Sequence, residues 1–197
     1  MTVHLHLFIQ GYYKGNQEMR APLFSSGLSS DPTACDSITI EFRNSSPVHG
    51  IEFSSRTLLH TDGNCSVNFP GSFSGGQYFI VIRHRNSLET WSAAAQLLQH
   101  NDTVEFADVI TKAYGNNLAT LGDGFYGLWS GDVSDGISPG LQDGMIETSD
   151  YIHIENASQM FLAGYVTEDL TGDVLVESAD YSLAENNMQI LLVVARP

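Results

Sequence analysis

Apolar and polar residues alternate one by one in VHLHLFI (3–9), SITIEF (37–42), CSVNF (65–69) and QYFIVIRHR (77–85), with β-branched or aromatic side chains in many of the apolar places. A period of two sends alternate side chains to opposite faces of a sheet, so these segments predict strands with one buried face. QGYYKGNQ, SSGLSSDPTA, RNSSPVHG, HTDGN and PGSFSGGQ separate them and carry the Gly, Pro, Asn, Asp and Ser that turns require. Roughly seven short strands at this spacing predict an antiparallel β-sandwich over residues 1–131. SLETWSAAAQLLQ (87–99) admits two readings, a helix or a turn followed by an edge strand.

Beyond residue 131 the period of two gives way to an internal repeat. DGMIETSDYIHIENASQM (143–160) aligns without gaps on DVLVESADYSLAENNMQI (173–190), offset by 30 and identical at 7 of 18 positions. Such a repeat is one supersecondary unit used twice. FLAGYV (161–166) and LLVVA (191–195) follow the two copies, and the second reads as a C-terminal strand. The fold class expected is mainly β with a small α part, 1–131 forming the sandwich and 132–197 a duplicated segment.

Charge sharpens that division. Residues 1–98 hold 7 acids and 6 bases, whereas the remainder holds 16 acids and 2 bases, within a net charge of −15. No Lys or Arg occurs between Lys112 and Arg196, while 12 acids fall between Asp132 and Glu185. Nucleic acid and anionic membrane need surplus Lys and Arg and are poor partners for such a chain. Ile146, Tyr151, Ile154, Phe161, Leu162, Val176, Tyr181 and Leu183 are interleaved with the acids, which argues against a merely solvated acidic face and for a cation from solution.

DLTGDVLVESAD (169–180), read as a twelve-residue loop, places oxygen ligands at the alternate positions calcium uses. Asp169 is first, Thr171 third, Asp173 fifth, the backbone carbonyl of Leu175 seventh, Glu177 ninth and Asp180 twelfth. Val176 and Ile146, at position eight of the two copies, are expected to join the loops through a short β bridge. Position six, where Gly is usual, holds Val174, and a positive φ there costs about 1 kcal/mol. The first copy keeps Asp143, the carbonyl of Met145, Glu147 and Asp150. Its first ligand is expected to be Asp132, supplemented by Ser134 or Asp135, with an inserted stretch before the rest of the loop.

Asp at position twelve, no evident entering helix, two tandem copies and the spacing D-x-T-x-D-x-x-V-x-x-x-D make residues 132–195 resemble the duplicated calcium modules called type I dockerins. LHLFIQGYY, CDSITIEF, YFIVIRHRNSLETWSA and KAYGNN resemble a module preceding dockerin-like repeats at the C-termini of large secreted Bacteroidetes proteins. This resemblance implies a secreted or cell-surface location, calcium (Ca2+) as ligand and no catalytic activity. The functions expected are a calcium-stabilised structural or adhesion module, a carbohydrate-binding module whose partner is a glycan, or a dockerin that binds a cohesin-like receptor. Docking would use Thr148-Ser149 and Ser178-Ala179, although the insertion in copy one breaks their symmetry.

Other constellations add little. His4 and His6 share a strand face without a third ligand, and Glu41 and Glu52 are the kind of pair a glycosidase uses but read as solvated strand acids. His84, with Arg83, Arg85, Asn86, Glu89 and Trp91, suits either a loop anchor or a sugar platform, the anchor being favoured. Cys35 and Cys65 allow one disulfide or two buried thiols. No nucleophile elbow, phosphate loop or zinc-protease helix occurs, and no apolar run is long enough to span a bilayer.

Overall fold

A computed structural model describes every residue, Met1–Pro197. The first alternating segment becomes β1 (Thr2–His6) and β2 (Phe8–Ile9), followed by the hairpin of β3 (Tyr13–Gly15) and β4 (Glu18–Met19). Helix α1 (Pro22–Ser25) starts on proline, whose fixed φ and missing N–H suit a first turn. The long strands β5 (Ala34–Arg43) and β6 (Ile51–His60) precede β7 (Asn64–Asn68), β8 (Gln77–His84) and β9 (Ser87–Trp91). Short strands β10 (Gln96–Leu97), β11 (Asp102–Glu105), β12 (Ala119–Thr120) and β13 (Tyr126–Leu128) complete the β part. Helices α2 (Thr148–Gln159) and α3 (Ser178–Met188) lie in the duplicated segment.

Two open sheets, β10-β8-β5-β6 with β9 on β8, and β11-β1-β7, share one apolar core. Leu5 and Val67 reach it from the smaller sheet, Ile40, Phe42 and Ile82 from the larger. The ring of Phe42 meets those of Phe53, Phe69, Phe73 and Tyr78 at 4.8, 5.6, 6.2 and 6.1 Å. Phe42 and Phe69 are buried, each contributing about 1.5–3 kcal/mol, and the partly buried Phe53, Phe73 and Tyr78 contribute less. The core therefore rests on the period-two segments seen in the sequence.

Pairing departs from the antiparallel expectation at the N-terminus. β1 pairs in parallel with β11, and β2 with β13. Parallel neighbours need a long crossover, and here almost the whole β part intervenes. Residues 87–99 form β9, a turn and β10, because Leu88 and Trp91 are buried in the sheet and the indole Nε1 donates to Glu89 Oε1 at 2.6 Å. Cys35 and Cys65 are separate buried thiols, and burial pushes Cys65 up to about 12.

In the duplicated segment α2 packs on α3 around Ile154 and Ala184, which occupy equivalent positions of the repeat. Tyr151 and Tyr181, also equivalent, meet edge to face at 6.3 Å. The expected bridge between position-eight residues does not form. Val176 N instead donates to Leu162 O at 2.8 Å and Gly164 N to Val174 O at 2.8 Å; their repeat equivalents, Ile146 N to Leu192 O and Val194 N to Gly144 O, measure 2.9 and 2.8 Å. Each loop thus pairs with the tail of the other copy. Residues 191–195 make this contact through one isolated bridge, Met145 to Val193, and not as the C-terminal strand anticipated. The helices in contact set the loops apart, so the tails that leave each helix become the nearest backbone partners.

The two parts meet through captured backbone carbonyls. Asn86 Nδ2 donates to Asp169 O at 2.8 Å, Arg20 Nη1 to Thr171 O at 3.0 Å, and Asn187 Nδ2 to Ser130 O at 2.6 Å. Arg85 donates to Val166 O and Tyr165 to Asp36. A Cβ on Gly11 would lie 1.9 Å from Leu170 O, so only glycine admits the loop this close.

Candidate metal centre

The second loop is built outward from buried Asp169. Its Oδ1 accepts from Gly172 N at 2.8 Å and its Oδ2 from Val174 N at 3.0 Å, which curls the chain around the carboxylate. Asp180 closes the loop from the far end, accepting from Thr171 N and Glu177 N, both at 2.8 Å. Glu177 is the N-cap of α3 and Asp180 its third residue, so a reciprocal capping box starts the helix at Ser178. Asp173 is partly exposed, its Oδ1 accepting from Leu175 N at 3.2 Å, and Leu175 is exposed. Val174 takes the expected left-handed conformation, φ +67°.

The first loop repeats this arrangement across an insertion. Asp132 Oδ2 accepts from Gly144 N at 3.2 Å, as Asp169 does from Val174, and Asp150 Oδ1 accepts from Val133 N and Ser134 N at 2.8 and 2.9 Å. Ser134 therefore stands where Thr171 stands in the second loop. Residues 135–141 form the insertion, pinched by the Ser134 to Pro139 bridge and by Gly140 N donating to Val133 O at 2.7 Å. Asp135 turns into it, accepting from Ile137 N and Ser138 N, away from the loop centre. Gly136 lies near Glu147 and Ser149, so the insertion leans on the start of α2. Asp143 Oδ1 accepts from Met145 N at 2.9 Å, and Glu147 caps α2 with Asp150 in the second capping box.

Electrostatically both loops concentrate buried carboxylates. Burial, reinforced by the charges of Asp150 and Asp143, pushes Asp132 up to about 8. Burial likewise pushes Asp150 and Asp169 up to about 6 and raises Asp180, although backbone N–H donors oppose it at all three. Asp132 Oδ1 and Thr171 Oγ1 are buried without a hydrogen-bond partner, one in each loop. Leaving a buried polar atom unpaired costs about 1–3 kcal/mol. No three His, Cys, Asp or Glu side chains converge closely enough to hold an ion in this geometry. A calcium loop, however, also draws oxygens from hydroxyls, backbone carbonyls and water, which suits Thr171, Ser134, Leu175 and Met145. The donor set is all oxygen and fits calcium.

The remaining sequence candidates have structural partners. His4 Nδ1 lies 2.8 Å from Ser66 Oγ and His6 Nδ1 2.8 Å from Glu105 Oε1. Glu41 is paired with Arg43 and Arg83, and Glu52 accepts from Asn44. His84 Nε2 sits 3.1 Å from Asp36 Oδ2, and Arg196 reaches Glu89 at 2.9 Å, so the 83–91 cluster anchors the duplicated segment. The sequence grouped Asn86 with the 83–91 anchor but not with its partner, the carbonyl of Asp169, and carried no sign of the clamps at Arg20 and Gly11.

No family model matches the chain, and no curated protein matches it by sequence. The solved structures that resemble it include a C-terminal and an N-terminal interface mutant of a type II cohesin-X-dockerin complex from Acetivibrio cellulolyticus. Their TM-scores are 0.56 and 0.55 at 15% and 16% identity, and each comparison covers 100% of this chain and 96% of the other. The likeness is one of fold. The chain is mainly β with few helices and open, sandwich-like sheets, and none of its helices is long and apolar enough to cross a membrane.

Proposed function

We propose that residues 132–195 bind calcium in both loops and that the chain is a non-enzymatic, calcium-dependent docking module of a secreted or cell-surface protein. The observation that carries this reading is the symmetric exchange of the two copies, each with a buried oxygen left unpaired at the centre of an acidic loop. Calcium supplies the missing partner and relieves the repulsion among carboxylates. The receptor would be cohesin-like, since the similar structures are complexes of a cohesin with a dockerin. Exposed Met160, Phe161, Ile190 and Leu191, two per copy at equivalent positions, offer that receptor apolar contacts. The insertion leaning on Ser149 makes the two ends unequal and favours one orientation of docking.

Calorimetric titration of the whole chain with calcium tests the metal reading. Two oxygen-ligated sites are expected, the second loop tighter because Ser134 Oγ of the first already accepts from Gly136 N at 2.9 Å. Magnesium should bind more weakly, as it demands a tighter octahedron and sheds water reluctantly. Absence of heat at millimolar calcium refutes the reading. The β-rich architecture by itself supports a second reading, a cohesin-like receptor. Titration with the type II cohesin and, separately, the dockerin of the Acetivibrio cellulolyticus complex separates the two. Calcium-dependent binding to the cohesin supports the docking module, and binding to the dockerin alone supports the receptor.

A further inference from the structure

The chain carries 8 Lys and Arg against 23 acids, yet three of its six arginines line one recess of about 220 Å³ on the larger sheet. Arg56, Arg83 and Arg85 surround it, Ser37 and Thr39 contribute hydroxyls, buried His84 also lines it, Gln142 reaches in from the first loop, and no acid lines it. Register explains the clustering. Thr39 of β5 pairs with Arg56 of β6 on one side and Arg83 of β8 on the other, which sets the three side chains in a row on one sheet face. Ser37 shares that face two residues back along β5.

The charges in this recess do not cancel. Arg83 is matched by buried Glu41 and Glu89, and Arg85 by buried Asp36. Arg56 is exposed and takes part in none of the chain's ion pairs. Arg83 spends Nε on Glu41 and Nη2 on Glu89, leaving Nη1 free, while Arg85 has all three nitrogens engaged. The unused donors are thus the whole guanidinium of Arg56, one nitrogen of Arg83 and two hydroxyls. One surplus positive charge with a forked donor and flanking hydroxyls matches the planar, bidentate geometry of a single oxyanion.

We propose that this recess is an oxyanion-binding site that takes one carboxylate or sulfate group, gripped by Arg56 and oriented by Thr39, Ser37 and Arg83. The lining holds no Phe, Tyr or Trp, and its one ring, that of His84, is buried with both nitrogens turned to Asp36 and Ser87, so the charged group itself, and not a stacked ring, is what the site recognises. The site does not depend on the calcium reading, because its principal residues all belong to the β part.

The test uses the full chain, calcium-loaded, followed by amide chemical shifts at constant ionic strength. D-galacturonate, inorganic sulfate and N-acetyl-aspartate amide are titrated, with neutral D-galactose as reference. Saturable millimolar binding is expected, with shifts confined to the region of Thr39, Arg56 and Arg83. Arg56→Gln should weaken binding at least tenfold without changing the melting temperature, Arg56→Lys should retain part of it, and Lys112→Gln, which removes an unpaired cation elsewhere, should change nothing. Tighter binding of galacturonate than of the blocked aspartate places the oxyanion on a sugar, and the reverse places it on a polypeptide; both support the site. Galactose binding as well as galacturonate, shifts scattered over all the cations, or equal effects of Arg56→Gln and Lys112→Gln overturns the proposal.

Discussion

Replacing Phe161 and Leu191 by glycine should make the protein more stable. Both residues lie just past a helix end in the left-handed region, with φ +54° and +52°. At α2 this closes the helix, since Phe161 N donates to Ser158 O and Leu162 N to Ala157 O, each at 3.0 Å. An L residue costs about 1–2 kcal/mol in that conformation, whereas glycine adopts it freely. The more flexible unfolded chain of a glycine variant gives back about 0.4–1 kcal/mol. Because each side chain is 83% exposed, little packing is lost. The net gain is about 0.5–1 kcal/mol per site, or roughly 2–8 °C for the double variant in a chain of this size. Differential scanning calorimetry in calcium and in chelator measures it. A fall in melting temperature at either position would show that the side chain packs in the native state and that the strain argument is wrong. A rise with loss of cohesin binding would explain why apolar residues stand where glycine folds better, strain being held at a functional surface.

Acidity should control the metal-free protein in a definite direction. Asp132, Asp150 and Asp169 hold protons up to about 8, 6 and 6 when folded, chiefly through burial. The folded state therefore binds more protons than the unfolded chain between roughly pH 4 and 8, and stability in chelator should fall as pH rises through that window; a flat or rising melting temperature from pH 5 to 8 contradicts this. Calcium should reverse the trend, since deprotonation frees its ligands. Asp169→Ala should remove most of the calcium-induced rise in melting temperature at the second loop, while Asp62→Ala, in the β6 to β7 turn, should leave it intact; thermal scans at matched calcium distinguish them. Gly11→Ala, which sets a methyl 1.9 Å from Leu170 O, should push the second loop off the β part and lower both urea resistance and calcium affinity. Unchanged affinity in that variant would show that the β part does not shape the loop.

Much of the β part was legible because burial of one sheet face forces a period of two, and β5, β7 and β8 fall on the alternating segments. The β6 strand was not picked out, since within Ile51–His60 only Leu59 is fully buried and the apolar residues do not alternate cleanly. The repeat offset of 30 was likewise visible, because loop carboxylates and capping residues are local devices. Asp132 was singled out as first ligand from chemistry alone, and the fold puts it where Asp169 stands in the other copy. Sequence could not say how the insertion closes, because that depends on which backbone groups meet across Val133 and Gly140. Nor could it show that each loop pairs with the other copy's tail, that β1 and β2 take parallel partners, or that Asn86 holds the carbonyl of Asp169. Residues 83 apart in sequence meet there only because two packed helices bring the second loop against the end of β8. Local chemistry is written in spacing, whereas long-range pairing is decided by which faces the packed core leaves free.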